Sequence, residues 1–157
     1  MKEALQFYIN GQWVDPATPK TLEVVNPATE EPCATISMGS EADLDKAVAA
    51  AKAAFPAWSA TSREDRVKIF EKIIEVYQTR YDEIAETIST EMGAPIWLAK
   101  AAQAATGLAH FQTYMEVLKN YAFEETRGTT QIVKEPIGVC GFITPWNWPV
   151  NQIVCKV

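Results

Sequence analysis

At 157 residues and 48% apolar composition, the chain is long enough for one domain with a sizeable core. Its net charge of -6, with no basic stripe interleaved with aromatics, argues against a nucleic-acid partner. Cys33, Cys140 and Cys155 cannot all pair and show no Cys-x-x-Cys or Cys/His spacing, which sets aside a disulfide framework and a zinc site. They fit a reducing compartment. The N-terminus lacks the apolar core of a signal peptide and no run reaches membrane-spanning length, so a cytoplasmic protein with no membrane partner is expected.

Phe7 to Val14 reads as a β-hairpin, with Asn10-Gly11 suited to a type I′ turn between β-forming residues. Asp15 to Pro19 is a loop, Thr21 to Val25 a short strand, Asn26-Pro27 a turn and Cys33 to Ser37 a further strand. Ser40 with Asp43 three residues on is an N-terminal helix cap. The helix it opens carries Leu44, Val48 and Ala51 at helical spacing and is expected to break at Phe55-Pro56.

Thr61-Ser-Arg-Glu64 reads as a second capping box. It opens one long amphipathic helix with Val67, Phe70, Ile74, Tyr77, Tyr81, Ile84 and Ile88 on its apolar stripe. Tyr77 and Tyr81 are read as core residues rather than pocket residues. Gly93-Ala94-Pro95 stops that helix and starts a third. The third carries Leu98, Ala102, Ala105, Leu108, Phe111, Met115 and Leu118 along one face. His110, the single histidine, has no carboxylate near it in sequence and is read as structural. Thr129 to Lys134 reads as a strand with mixed polar and apolar residues, suited to an exposed or pairing surface.

The most informative stretch is Glu135-Pro-Ile-Gly-Val-Cys-Gly-Phe-Ile-Thr-Pro-Trp-Asn-Trp-Pro149. Residues 137–143 are apolar and β-prone, as a strand buried on both faces of a parallel sheet requires. Pro145 and Pro149 bracket Trp146-Asn147-Trp148 and restrict its backbone, and Pro149 suits the first turn of a following helix. In open α/β sheets, ligands bind at the carboxyl end of such a strand.

Asn147 is neutral, offers two N–H donors and one acceptor, and cannot serve as nucleophile or general base. Two roles stand open for it: stabilising a developing oxyanion, worth roughly 10²–10³ in rate, or bracing its own loop. Trp146 and Trp148 either line a cofactor pocket or pack. Cys140, in the apolar strand, is read as a small buried hydrophobe rather than a nucleophile. No phosphate-cradling GxGxxG or GxxxxGK[ST] loop is present.

The 135–149 segment closely resembles the part of NAD(P)-dependent aldehyde dehydrogenases that ends in Pro-Trp-Asn-(aromatic)-Pro. The resemblance extends over essentially the whole chain, through Tyr8-Ile-Asn-Gly-Gln-Trp-Val14, Val25-Asn-Pro-Ala-Thr-Glu-Glu31 and Glu91-Met-Gly-Ala-Pro95. It implies an α/β fold, the N-terminal part of an aldehyde dehydrogenase-like architecture. Residues 1–128 would belong to the cofactor-binding domain, 129–136 to a strand of the assembly domain, and 137–157 to the start of a Rossmann-like strand, loop and helix.

The resemblance also implies a chemistry. In this family a cysteine thiolate attacks an aldehyde, the resulting thiohemiacetal gives up hydride to NAD or NADP, and a glutamate-activated water hydrolyses the thioester to a carboxylic acid. Asn147 matches the catalytic asparagine whose amide helps hold the oxyanion. Ile143, Thr144, Pro145 and Trp146 match positions bordering the dinucleotide. Val25 and Glu91 fall near a weak monovalent-cation site of some members, and Tyr114 and Leu118 are candidates for the aldehyde tunnel or for core. The expected partners are a small aldehyde and further copies of the chain, as a homodimer or homotetramer.

The family's nucleophilic cysteine, general-base glutamate and nucleotide-binding lysine and glycines all fall outside this sequence. The chain therefore reads as an N-terminal portion that is inactive alone. The alternative is a naturally short, non-catalytic assembly or regulatory relative, and reading the gene past Val157 separates the two.

Overall fold

The computed structural model describes residues 2–157. Its N-terminal part is built from short strands. β1 (Lys2–Ala4), β5 (Glu31–Ser37) and β4 (Thr21–Asn26) form a three-stranded sheet in the order β1-β5-β4, with β1 parallel and β4 antiparallel to the central strand. A register shift at Val24/Val25 bends β4. β2 (Phe7–Ile9) and β3 (Gln12–Val14) form the expected hairpin. Asn10 and Gly11 both take positive φ, 53° and 75°, as a type I′ turn requires.

α1 (Glu41–Ser59) begins at the Ser40/Asp43 cap and continues through Pro56 rather than breaking there. Pro56 sits in the last turn, so the helix loses only one terminal hydrogen bond to it. Its apolar side is weakly covered, and Leu44 is 63% exposed. The second cap lies one residue later than Thr61. Ser62 Oγ accepts from the Asp65 N–H at 3.1 Å and opens α2 (Arg63–Thr79).

The expected single long helix is two. Arg80 (φ -109°, ψ 10°) leaves helical geometry, and α3 (Tyr81–Met92) follows at once. The break lets one apolar stripe serve two partners: α2 packs on α5, whereas α3 packs on a π-helical segment and on β4. Every residue of the Val67 to Ile88 stripe is buried or half-buried, while Lys72, Glu75, Asp82 and Glu86 are exposed.

Gly93 ends α3 in the left-handed region (φ 78°), where a Cβ would also stand 2.6 Å from Pro27 Cγ. The third helix is α4 (Ile96–Leu98), the π-helical segment (Ala99–Gln103) and α5 (Ala104–Asn120) in unbroken succession. The π turn widens the ladder and rotates the face that follows. The most buried residues thus become Ala99, Gln103, Ala104, Gly107 and Phe111, which share Phe111 with the expected stripe and otherwise adjoin it. Two tyrosines from the facing helices cap the widened turn. Tyr77 Oη donates to the Ala104 carbonyl at 2.7 Å and Tyr81 Oη to the Lys100 carbonyl at 2.6 Å.

The core has two clusters. One is built on small residues (Ala85, Ile88, Ala94, Ala99 and Ala104) and the other on Tyr77, Phe111 and Val154. The Tyr77 and Phe111 rings meet edge-on, 6.3 Å apart.

β7 (Thr130–Val133) is the strand expected near 129–134, and it has an unforeseen partner in β6 (Glu124–Arg127). Gly128 takes φ 60° in the two-residue turn between them. Residues 135–147 contradict the sequence expectation most plainly, because they form no strand and make no backbone–backbone hydrogen bond among the described residues. Ile137 is 93% and Ile143 98% exposed. A strand exists only through its neighbours' N–H and C=O groups, and none of β1–β7 lies beside this segment. Cys140 is accordingly exposed rather than buried. α6 (Pro149–Val154) then starts where Pro149 suggests.

Candidate functional site

α6 and the loop before it are held against α5 by close apolar contact. Val150 of α6 and Tyr77 of α2 converge on Gly107, where a Cβ would overlap the Val150 Cγ1 methyl and lie 2.6 Å from Tyr77 Oη. Val154 is 3% exposed in the Tyr77/Phe111 cluster. Burial pushes the Tyr77 phenol up to about 12, and the adjacent Tyr81 phenol adds to the shift. Tyr77 is therefore a neutral hydroxyl donor at any ordinary pH.

Trp148, the N-cap of α6, occupies the left-handed region (φ 52°, ψ 55°), a conformation that costs energy in a bulky residue and persists only where its surroundings impose it. Pro149 follows it directly and Pro145 lies three residues before it. Asn147 is exposed on this loop and its amide makes no hydrogen bond among the described residues. An amide bracing its own loop would show such a bond.

Beside the loop lies a cleft of about 990 Å³. Thr144, Pro145, Trp146, Pro149 and Val150 form one wall, Ile84, Thr87, Ile88 and Glu91 of α3 another, and Val24, Val25 and Pro27 the base. The structure thus brings Thr144, Pro145 and Trp146 together with Val25 and Glu91. It leaves Ile143 and Asn147 outside the cleft lining, both exposed. Trp146 is 78% exposed, so within this chain it lines the cleft rather than packs. Tyr114 and Leu118 border a separate apolar groove with Phe70, Phe111 and Val117.

Arg80 and Glu83 stand at the cleft edge as a bidentate pair (2.9 and 2.8 Å), and the Arg80 guanidinium holds the Glu83 carboxyl below its usual range. Among the described residues no group of three or more His, Cys, Asp or Glu side chains could hold a metal ion. No helix among them is long and apolar enough to cross a membrane.

Sequence reasoning missed the contacts of His110. Its Nε2 lies 2.7 Å from Asn151 Oδ1 on α6, and its ring stacks on Tyr114. The two hydrogen-bonded residues are 41 positions apart, and no local signal joins them.

Residues 13–157 match the model of the aldehyde dehydrogenase family. The chain belongs to that family. It is 50% identical, over all of its length, to a 3-succinoylsemialdehyde-pyridine dehydrogenase from a Pseudomonas species, of which it covers 33%. An aldehyde dehydrogenase crystal structure from Bartonella henselae superimposes on 98% of the chain with a TM-score of 0.95 and 48% identity, and the chain covers 33% of that protein. Aldehyde dehydrogenase C of Pseudomonas syringae, a cysteine-to-alanine variant crystallised with NAD+ and octanal, matches 96% of the chain with a TM-score of 0.94 and 48% identity, with 31% of its own length covered. The chain therefore spans about a third of the length of these relatives. The α/β architecture is that of the family members it matches.

Proposed function

We propose that this chain forms the N-terminal part of an oxidoreductase that oxidises an aldehyde to a carboxylic acid with NAD+ or NADP+. The observation that carries this reading is the unpartnered Asn147 amide, held out on a proline-bracketed loop beside the cleft of an aldehyde dehydrogenase chain. A relative named for a semialdehyde and a structural neighbour crystallised with NAD+ and octanal support the substrate class and the cofactor.

In this reading Asn147 donates an N–H to the oxygen of the carbonyl under attack, where negative charge develops. A neutral amide suits that role because it polarises the carbonyl without titrating. Residues 143–146 fit one edge of a dinucleotide. They are exposed, their backbone groups are free of backbone partners, and three of them border the cleft. When bound, the dinucleotide supplies the hydride acceptor. The nucleophile and general base come from outside residues 1–157. Exposed Cys140, seven residues before Asn147 in a stretch without helix or strand, is not assigned that task.

The apolar, exposed run 137–143 becomes a buried strand when strands from the remainder of such a protein flank it, which supplies the ladder partners absent here. On the same basis residues 1–128 and 137–157 belong to a cofactor-binding domain. The β6–β7 hairpin, paired along one edge only, supplies an assembly surface for a homodimer or homotetramer. The cytoplasm is the proposed location.

The chain alone, incubated with NAD+ and a series of aldehydes, should yield no NADH, whereas the full-length protein containing it should. Turnover by the chain alone, or none by the full-length protein, would overturn the reading.

A further inference from the structure

Asn147 makes no bond of its own among the described residues, so its position depends on the seat of the segment that follows it. That segment, α6, has six residues and is too short to persist without tertiary support. Val150 and Val154 press it against α5 and α2, which sets its distance from them. Apolar contact is non-directional and leaves rotation and sliding weakly fixed.

The directional contacts come from two residues one helical turn apart on α5. His110 Nε2 lies 2.7 Å from Asn151 Oδ1, and Tyr114 Oη donates to the Cys155 carbonyl at 3.3 Å. The two rings stack with centroids 5.9 Å apart and planes at 20°, so each restrains the other. Residues 151 and 155 are likewise one turn apart. Asn151 within α6 and Cys155 at its C-cap are thus tied in register to two successive turns of α5. Both bonds are part-buried, where competition from water is reduced.

We propose that His110 is a positioning residue for Asn147, acting through Asn151 and the register of α6. This rests on the reading of Asn147 as an oxyanion donor and assigns that donor its support. The Nε2–H of His110 donates to Asn151 Oδ1, a bond available to the Nε2–H tautomer and to the imidazolium alike. The consequence is kinetic, because misplacing a catalytic group by about 1 Å can cost roughly 10²-fold in rate.

The test uses the full-length enzyme containing this chain, assayed with NAD+ and an aldehyde it turns over. His110→Ala should lower kcat by about tenfold or more and leave the KM for NAD+ nearly unchanged. His110→Gln, whose amide N–H can reach Asn151, should recover most of the loss. Asn151→Ala should reproduce the His110→Ala pattern, which provides a second route if His110→Ala does not fold. In an Asn147→Ala background, His110→Ala should cost nothing further in kcat, since no amide remains to be positioned.

Unchanged kcat in folded His110→Ala or Asn151→Ala would overturn the proposal. So would losses that multiply in the double variant. If Asn147→Ala itself leaves kcat intact, the oxyanion reading and the positioning role fall together. If only Asn147→Ala loses rate, the positioning role falls alone.

Discussion

Gly107 on α5 and Val150 on α6 are packed so closely that a side-chain carbon at position 107 would overlap the Val150 methyl. The glycine is there for approach rather than for flexibility. It lets the helix that follows Asn147 lie against α5 with Tyr77 closing over both. Gly107→Ala should therefore destabilise the protein by about 1–3 kcal/mol, the usual range for overpacking a filled site. Denaturant unfolding measures this, and a change within about 0.5 kcal/mol, the range of ordinary surface substitutions, would show that the contact relaxes without consequence.

Tyr77 holds the π-helical segment from the other side. Tyr77→Phe leaves the Ala104 carbonyl without its 2.7 Å partner in a buried setting, which costs about 1–3 kcal/mol. Tyr77 also makes an alkaline prediction. Its phenol is raised from 10.0 to about 12 in the folded state, so its contribution is fully present below the unfolded value and is lost as pH rises through about 12. The Tm of the protein should fall across that window, and Tyr77→Phe should flatten the decline.

Asp43 gives the acidic counterpart. Its carboxylate accepts from the Ser40 N–H at 2.9 Å, the Ser40 hydroxyl at 2.7 Å and the Ala17 N–H at 2.8 Å. These bonds, those to Ser40 foremost, hold its carboxyl below 3.8. The stability it contributes is present above the unfolded carboxylate value and is lost as pH falls through the lower folded one. Asp43→Ala should lower Tm at pH 7, and the gap to the unaltered protein should close as pH falls below about 4. A gap that stays constant with pH would contradict the assignment.

The fold was legible where local chemistry decides it. The Asn10-Gly11 hairpin, the Ser40/Asp43 cap, the Gly93 stop and the Val67 to Ile88 stripe all stand as their residues imply. What escaped was set by tertiary partners. The break at Arg80 has no glycine or proline to announce it, and the π turn at Ala99–Gln103 lies in an alanine-rich run without a visible breaker. β1 pairs with a strand 32 positions along, and β6 is a polar run with no strand pattern of its own.

For the site, the proline brackets and the chemistry of Asn147 could be read directly, whereas the His110–Asn151 link could not. Residues 137–143 teach the reverse lesson. Their composition is that of a buried strand, but a strand needs neighbours, and this chain provides none beside them.

The most direct measurement is steady-state turnover of the full-length protein carrying Asn147→Ala, with NAD+ and aldehyde each varied. An oxyanion donor predicts a fall in kcat of roughly 10²–10³ with little change in the KM for NAD+. An unchanged kcat, or equal losses in turnover and cofactor affinity, would contradict the account.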